Sequence, residues 1–189
     1  MTVANYNASL AWVWGPSRDI PDEQGHVTPG DPGKLTKGGV TAATWAQASQ
    51  CGIVKGDLSH ASDEQLSAVL RALYWSTECD ALPAGLDLLL FDGRMLTGHF
   101  AILFQQSLGM IGPDDVDGWI GPETLARARS CDPGTFIDAV SGAHAAYLAS
   151  LPTWRQFGGG WTKRIRACQA AAIAMADAAP SLRAAASIA

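Results

Sequence analysis

Residues 22–41 read DEQGHVTPGDPGKLTKGGVT, and no other stretch of the chain looks like them. Three carboxylates, Asp22, Glu23 and Asp31, stand among glycines, prolines, threonines and His26. No apolar run gives the segment a core of its own. Glycine admits positive φ and proline presets a negative one, so a chain rich in both folds into tight turns. Such a loop brings its side chains close to an extended ligand. Glu23 and Asp31 are eight residues apart, and Thr36 lies five further on. Hydrolysis of a glycosidic bond takes two carboxyl functions about the scissile bond, or one acid and a positioned water. The acid must hold its proton near neutral pH, which takes a partly apolar setting. On composition alone, Glu23 and Asp31 read as ordinary solvated turn residues; their spacing admits the catalytic role.

Outward from this loop the chain reads almost entirely helical. Upstream, Ser9 to Trp14 forms a short apolar helix stopped by Gly15-Pro16. Downstream, Thr41 caps TAATWAQASQCG, with Gly52 past its end. Ser62 and Gln65 make a capping box, after which Leu66, Val69, Leu70, Leu73 and Tyr74 recur at helical spacing. Two apolar segments, AGLDLLLFDGRML and HFAILFQQSLG, predict buried helices on either side of Thr97-Gly98. IGPETLARARS, DPGTFIDAVSGAHAAYLASL and GWTKRIRACQAAAIAMADAA predict three more. Strand signals are confined to the glycine-rich loop, which has room for a small two-stranded element. The tail APSLRAAASIA reads as frayed.

Composition narrows the function. The chain has 189 residues, 48% of them hydrophobic, which suits one compact domain with at most a small second one. Seven tryptophans supply buried area or line clefts. The net charge is −5 and no Lys/Arg cluster occurs, so a nucleic-acid partner and a polybasic membrane anchor are disfavoured. The four cysteines, at 51, 79, 131 and 168, form no CxxC pair and read as free, mostly buried thiols. The first residues lack the basic start and apolar run of a secretory signal. No apolar run reaches the roughly 18–20 residues that span a bilayer. The expectation is a monomer made in the cytoplasm, without membrane insertion.

Other chemistries find little support. Asp114, Asp115 and Asp117 sit in an Asp-x-Asp-Gly context, but a calcium loop aligned on them starts at Pro113 and ends at Thr124, losing ligands it needs. A structural turn is the better expectation. The histidines at 26, 60, 99 and 144 have no metal-binding spacing. There is no G-x-S-x-G elbow and no phosphate-binding glycine loop. No metal and no cofactor are expected.

Several ordered motifs together resemble the glycoside hydrolase family 108 lysozymes, the phage and bacterial N-acetylmuramidases. Glu23, Gly25 and Val27 match that family's Glu-Gly-Gly-x-Val. Asp31, Pro32, Gly33 and Thr36 match its Asp-Pro-Gly-Gly-x-Thr, and Gly39, Val40 and Thr41 its Tyr-Gly-Ile-Thr. RALYWSTECDALPAGLDLLLFDGRMLTG is similar to the family's Tyr-Trp, Leu-Pro-x-Gly-Leu-Asp and Phe-Asp segment. FQQSLGMIGPDDVDGWIGPETL resembles the peptidoglycan-binding module predicted to follow, and FGGGWTKR its closing Gly-Trp-x-x-Arg. The likeness spans about residues 20–166.

The resemblance implies a mainly α, lysozyme-like fold with a Gly/Pro-rich active-site loop. It implies a catalytic lobe over 1–82, a peptidoglycan-binding-like helical lobe over 83–178, and a tail from 179. The activity would be cleavage of the β-1,4 bond between N-acetylmuramic acid and N-acetylglucosamine in peptidoglycan glycan strands. Glu23 would be the general acid, with Asp31 and Thr36 flanking the cleft. His26 lies in the same site, and Trp75 and Trp119 are either sugar-stacking residues or core. A soluble chain without a signal would reach the wall by holin-type release or through a secretion machine. At some positions the chain departs from the pattern: Gln24 and Lys34 replace glycines, and Gly15-Pro16 and Pro21 break the helix that in the family ends on the catalytic Glu. Two placements of the acid follow. Either it is Glu23, moved onto a loop, or the family position falls at 15–17, with Asp19 and Asp22 the nearest carboxylates. The second leaves a catalytically inactive relative that binds peptidoglycan or a protein; a structural phage component is a third alternative.

An acidic protein and an anionic cell wall repel, and salt screens the repulsion. Co-sedimentation with purified walls is therefore expected to rise with moderate salt; a fall would reveal a basic docking face.

Overall fold

The computed structural model describes residues 3–15, 25–27, 29 and 34–179. The chain divides into two compact units, Met1–Asp80 and Ala81–Ala189. All but the first of the tail residues, 180–189, lie outside the described residues.

The N-terminal unit opens with α1, Val3–Trp14. This helix starts six residues before the expected Ser9, because Asn5 and Asn7 interrupt the apolar run without breaking the helical period. Tyr6, Ser9, Leu10 and Val13 recur at three- and four-residue spacing and are buried. The Tyr6 hydroxyl donates to the Ser67 carbonyl at 2.7 Å, and the Trp14 indole donates to the Gly38 carbonyl at 3.1 Å. Three short strands follow: β1 His26–Val27, β2 Leu35–Lys37 and β3 Val40–Thr41. They form one antiparallel sheet in the order β1-β2-β3, so the expected two-stranded element gains a strand. Strands of two or three residues show no alternation for a sequence to reveal.

Helix α2, Ala42–Gln50, starts where expected, with the Thr41 side chain accepting from the Thr44 N–H. Helix α3, Asp63–Leu70, carries the Ser62/Gln65 capping box in both directions. Beyond Leu70 the expected helix changes pitch. Arg71–Trp75 is a π-helical turn, followed by α4, Ser76–Ala81. A π turn holds one residue more than an α turn and so shifts the helical phase. Trp75, rather than Tyr74, then continues the inward face set by Leu66 and Leu70.

The C-terminal unit is built round α5, Leu86–Leu96, whose residues from Leu86 to Gly93 are all buried. A helix buried on every side belongs at the centre of its unit, and α6 (Phe100–Ser107), α8 (Pro133–Ala149) and α9 (Trp154–Ala178) pack against it. Helix α7, Pro122–Ser130, begins with proline in its first turn, as expected. Helix α9 begins six residues before the expected Gly160. Glycines are poor helix formers, and three of them at 158–160 read as a break. The Trp154 ring closes over Gly158, where a Cβ would stand 2.5 Å from it, and the helix runs on. All four cysteines are free; Cys79 and Cys168 are buried, Cys51 is exposed and Cys131 lies between.

One charged cluster is enclosed in this unit. Arg164 donates through Nε and Nη2 to Asp92 Oδ1, at 2.9 and 2.7 Å. Beside this pair, His144, Ser141 and Cys168 line a cavity of about 10 Å³. Neither His144 Nε2 nor Ser141 Oγ has a hydrogen-bond partner. Burial pushes the His144 imidazole down to about 4; Asp92 opposes this and Arg164 reinforces it. Burial likewise pushes the Cys168 thiol up. The unfolded chain therefore binds a proton at His144 before the folded chain does, and stability falls as pH drops from about 6.5 towards 4. The shift corresponds to roughly 3 kcal/mol. Urea unfolding at pH 7 and pH 4 is expected to show a loss of that order that His144→Leu reduces.

Candidate active site

The described part of the site is assembled by the hairpin of β2 and β3. Gly38 and Gly39 take φ of 58° and 79°, the two successive positive values that a tight two-residue hairpin turn requires. That turn pairs Thr36 with Thr41 and Lys37 with Val40. On the other side of β2, His26 pairs with Thr36 and Val27 with Leu35. Directly opposed residues of an antiparallel sheet share a face, so His26, Thr36 and Thr41 form one row. All three are half-buried. Alternation sends Lys37 and Val40 to the other face. Val40 is fully buried there, and Lys37 Nζ donates to the carbonyls of Ser59 and Ala61 at 3.0 and 2.9 Å. An ammonium in this position fastens the sheet to the turn Leu58–His60.

The polar row extends beyond the sheet. Thr41 Oγ1 lies 3.0 Å from Thr44 Oγ1, which lies 2.9 Å from the Tyr74 hydroxyl. Tyr74 is held by the π turn, and the π turn is braced at Asp80. Arg71 Nη1 and Nη2 donate to the two oxygens of Asp80 at 3.0 and 2.6 Å, and the Trp75 indole donates to Oδ1 at 2.8 Å. Burial works against the charge on Asp80, but these donors prevail and hold its carboxyl below the usual range. The Arg71 guanidinium also sits over the rings of Tyr6 and Trp75, at 5.0 and 5.7 Å.

Of the expected site residues, the structure brings His26 and Thr36 side by side. Glu23 and Asp31 lie outside the described residues, as do the alternatives Asp19 and Asp22. Lys34, which replaces a glycine of the family pattern, has φ 55°, so that position calls for the left-handed backbone glycine adopts freely. Trp75 takes the core part of its two expected ones: it is 0% exposed and its indole N–H donates to Asp80 Oδ1. Trp119, in the C-terminal unit, is 62% exposed. Its loop is stapled by buried Gln105, which donates to Asp117 Oδ1 and the Trp119 carbonyl, both at 2.9 Å, and accepts from Gly118 N–H at 2.7 Å. Asp117 is thus a loop brace, as the structural-turn expectation has it. The bonds from Gln105 and the Trp119 N–H hold its carboxyl below the usual range. Sequence reasoning missed Thr44 and the outward role of Tyr74. A threonine in the first turn of a helix and a tyrosine inside a π turn give no distinctive signal.

Mainly helical units with a small sheet that carries the glycine-rich loop define a lysozyme-like fold. Residues 21–98 match the family described as Glycosyl hydrolase 108. The match begins in the loop and runs past Asp80 to take in α5. Among solved structures the chain is similar to SagA of Brucella abortus, with 27% identity and a TM-score of 0.79, over 93% of this chain and 97% of that one. No curated protein matches it. At family level the match supports a glycoside hydrolase that acts on peptidoglycan. No helix among the described residues is long and apolar enough to cross a membrane.

The two tryptophans are expected to separate cleanly. Trp75→Ala should cost about 3–5 kcal/mol in urea unfolding, the usual loss for a buried aromatic. Trp119→Ala should stay within about 0.5 kcal/mol of the parent, as exposed substitutions do.

Proposed function

We propose that this protein is a muramidase that cleaves the β-1,4 bond between N-acetylmuramic acid and N-acetylglucosamine. The observation that carries this reading is the coincidence of the family match with the polar row. The segment whose motifs match the family is the segment whose strands set Thr36 between His26 and Thr41. Glu23 is the general acid, protonating the leaving oxygen, and Asp31 stabilises the positive charge that develops at the anomeric carbon. Thr36 holds the attacking water against that carbon, with His26 beside it on the glycan-facing row. The exposed Trp119 supplies an aromatic surface for sugar contact on the C-terminal unit, which acts as the peptidoglycan-binding module. The protein works as a monomer and reaches the wall by holin-type release or secretion-system delivery.

One observation favours a second reading, an inactive relative that binds peptidoglycan or a protein partner. Helix α1 ends at Trp14, nine residues before Glu23, whereas the family pattern closes that helix on the acid. Product analysis separates the two. Purified peptidoglycan is digested, reduced with borohydride and examined by mass spectrometry. New chain ends carrying reduced N-acetylmuramic acid establish the muramidase. Unchanged glycans with protein that still pellets with the walls establish the binding protein. In the first case Glu23→Gln should lower the rate by about two to four decades, the usual contribution of a proton-donating carboxyl. A Glu23→Gln protein that clears walls at the parental rate would move the acid elsewhere.

A further inference from the structure

We infer that Tyr74 is a positioning residue for Thr36, acting through a chain of hydroxyls that runs Tyr74, Thr44, Thr41. This rests on the muramidase reading and extends it to residues that touch no substrate. The Tyr74 hydroxyl lies 2.9 Å from Thr44 Oγ1, and Thr44 Oγ1 lies 3.0 Å from Thr41 Oγ1. Thr41 is the direct cross-strand partner of Thr36, and opposed side chains in such a pair stand about 5 Å apart. The chain therefore links a helical turn to the row that carries the water-holding hydroxyl.

The bonds have a preferred direction. Each hydroxyl has one proton to give and two lone pairs to fill. Thr41 Oγ1 already accepts the Thr44 N–H at 3.2 Å as the cap of α2. A phenol is a stronger donor than an aliphatic alcohol, so Tyr74 donates to Thr44 and Thr44 donates to Thr41. Both lone pairs of Thr41 Oγ1 are then filled, and its own proton is not spent on Thr44. Hydrogen bonds in such a chain polarise one another. Thr44 is only 8% exposed, so water competes poorly for its hydroxyl.

The π turn explains how Tyr74 comes to be there. In a regular helix the phase set by Leu66 and Leu70 would carry Tyr74 inward. The extra residue sends Trp75 inward instead and leaves Tyr74 half-buried with its hydroxyl at Thr44. The turn is followed by Ser76 at φ 53°, a conformation costly for a side-chain-bearing residue. The Arg71–Asp80–Trp75 bonds hold this geometry in place. Misplacement of a catalytic group by about 1 Å can cost two decades of rate, so a small drift of Thr36 would be felt in turnover.

Tyr74→Phe removes one oxygen and keeps the ring. On purified peptidoglycan it is expected to lower kcat about tenfold, the worth of one well-placed hydrogen bond, with KM within about twofold. Thr44→Val should do the same, Thr44→Ser should restore the rate, and the double variant Tyr74→Phe/Thr44→Val should lose no more than either single one. A kcat within twofold of the parent in Tyr74→Phe, or losses that multiply in the double variant, would overturn the proposal. A second readout needs no turnover. In protein with labelled threonine methyls, Tyr74→Phe should shift the Thr41 and Thr36 signals and leave Thr97, Thr124 and Thr135 in place. An unmoved Thr36 methyl sinks the chain even in an active enzyme. If the parent itself releases no products, the muramidase reading fails, while a shifted Thr36 methyl would still uphold the hydroxyl chain.

Discussion

The register of a seven-residue hairpin, Leu35 to Thr41, governs the N-terminal unit. Because side chains alternate faces along a strand, a slip of one residue between β2 and β3 would exchange every role in it. Thr36 would turn inward, and Lys37 would lose the two carbonyls that neutralise its burial. Gly38 and Gly39 prevent the slip, since few residues other than glycine accept two successive positive φ values. The Trp14 indole holds the carbonyl of Gly38 from the side of α1. The row of His26, Thr36 and Thr41 is thus fixed from several directions at once, which is the condition for a site that must hold a water or a developing charge in one orientation.

The fold was legible in the sequence wherever a local rule settles the structure. The Ser62/Gln65 box, the Thr41 cap and the proline openings of α7 and α8 each satisfy orphan N–H groups or preset φ, and each appears as expected. Legibility failed where a distant residue decides. The phase change at Arg71–Trp75 is held by Asp80, nine residues from Arg71, and no short window contains that information. It reversed the parts of two neighbouring aromatics, burying Trp75 and turning Tyr74 towards the sheet. The glycines at 158–160 misled for a related reason, because the Trp154 ring packed on Gly158 needs the room that the absent side chain leaves. Of the expected site residues, Thr36 and His26 are the two that pairing across β1 and β2 brings together. The hydroxyls behind them were invisible, because threonine and tyrosine in helices carry no mark of what they touch.

Both units hold satisfied polar sets beside a few buried orphans, of which Ser9 Oγ lies in the N-terminal one. In the N-terminal one, polar groups near the sheet come in satisfied sets: Lys37 with two carbonyls, Asp80 with three donors, Thr44 between two hydroxyls. In the C-terminal one, Asp92 and Arg164 satisfy each other, while His144 Nε2 and Ser141 Oγ face a cavity scarcely larger than a water molecule. A buried ion pair of this kind adds little net stability yet is costly to break on one side. It fixes which faces of α5 and α9 meet, a matter of specificity that leucines alone would settle less sharply.

The bond from Tyr6 to Ser67 joins residues 61 apart in the chain, and this sets a schedule for synthesis. A ribosome adds about 5–20 residues per second, so the partner of Tyr6 arrives roughly 3–12 s after it. Until then the Tyr6 hydroxyl has no Ser67 carbonyl to bond. The first helix made thus waits for the third to complete this bond, while the segment between them is translated. A yield that depends on the pace of translation between Trp14 and Ser67 is the expected cellular counterpart of that one long-range hydroxyl contact.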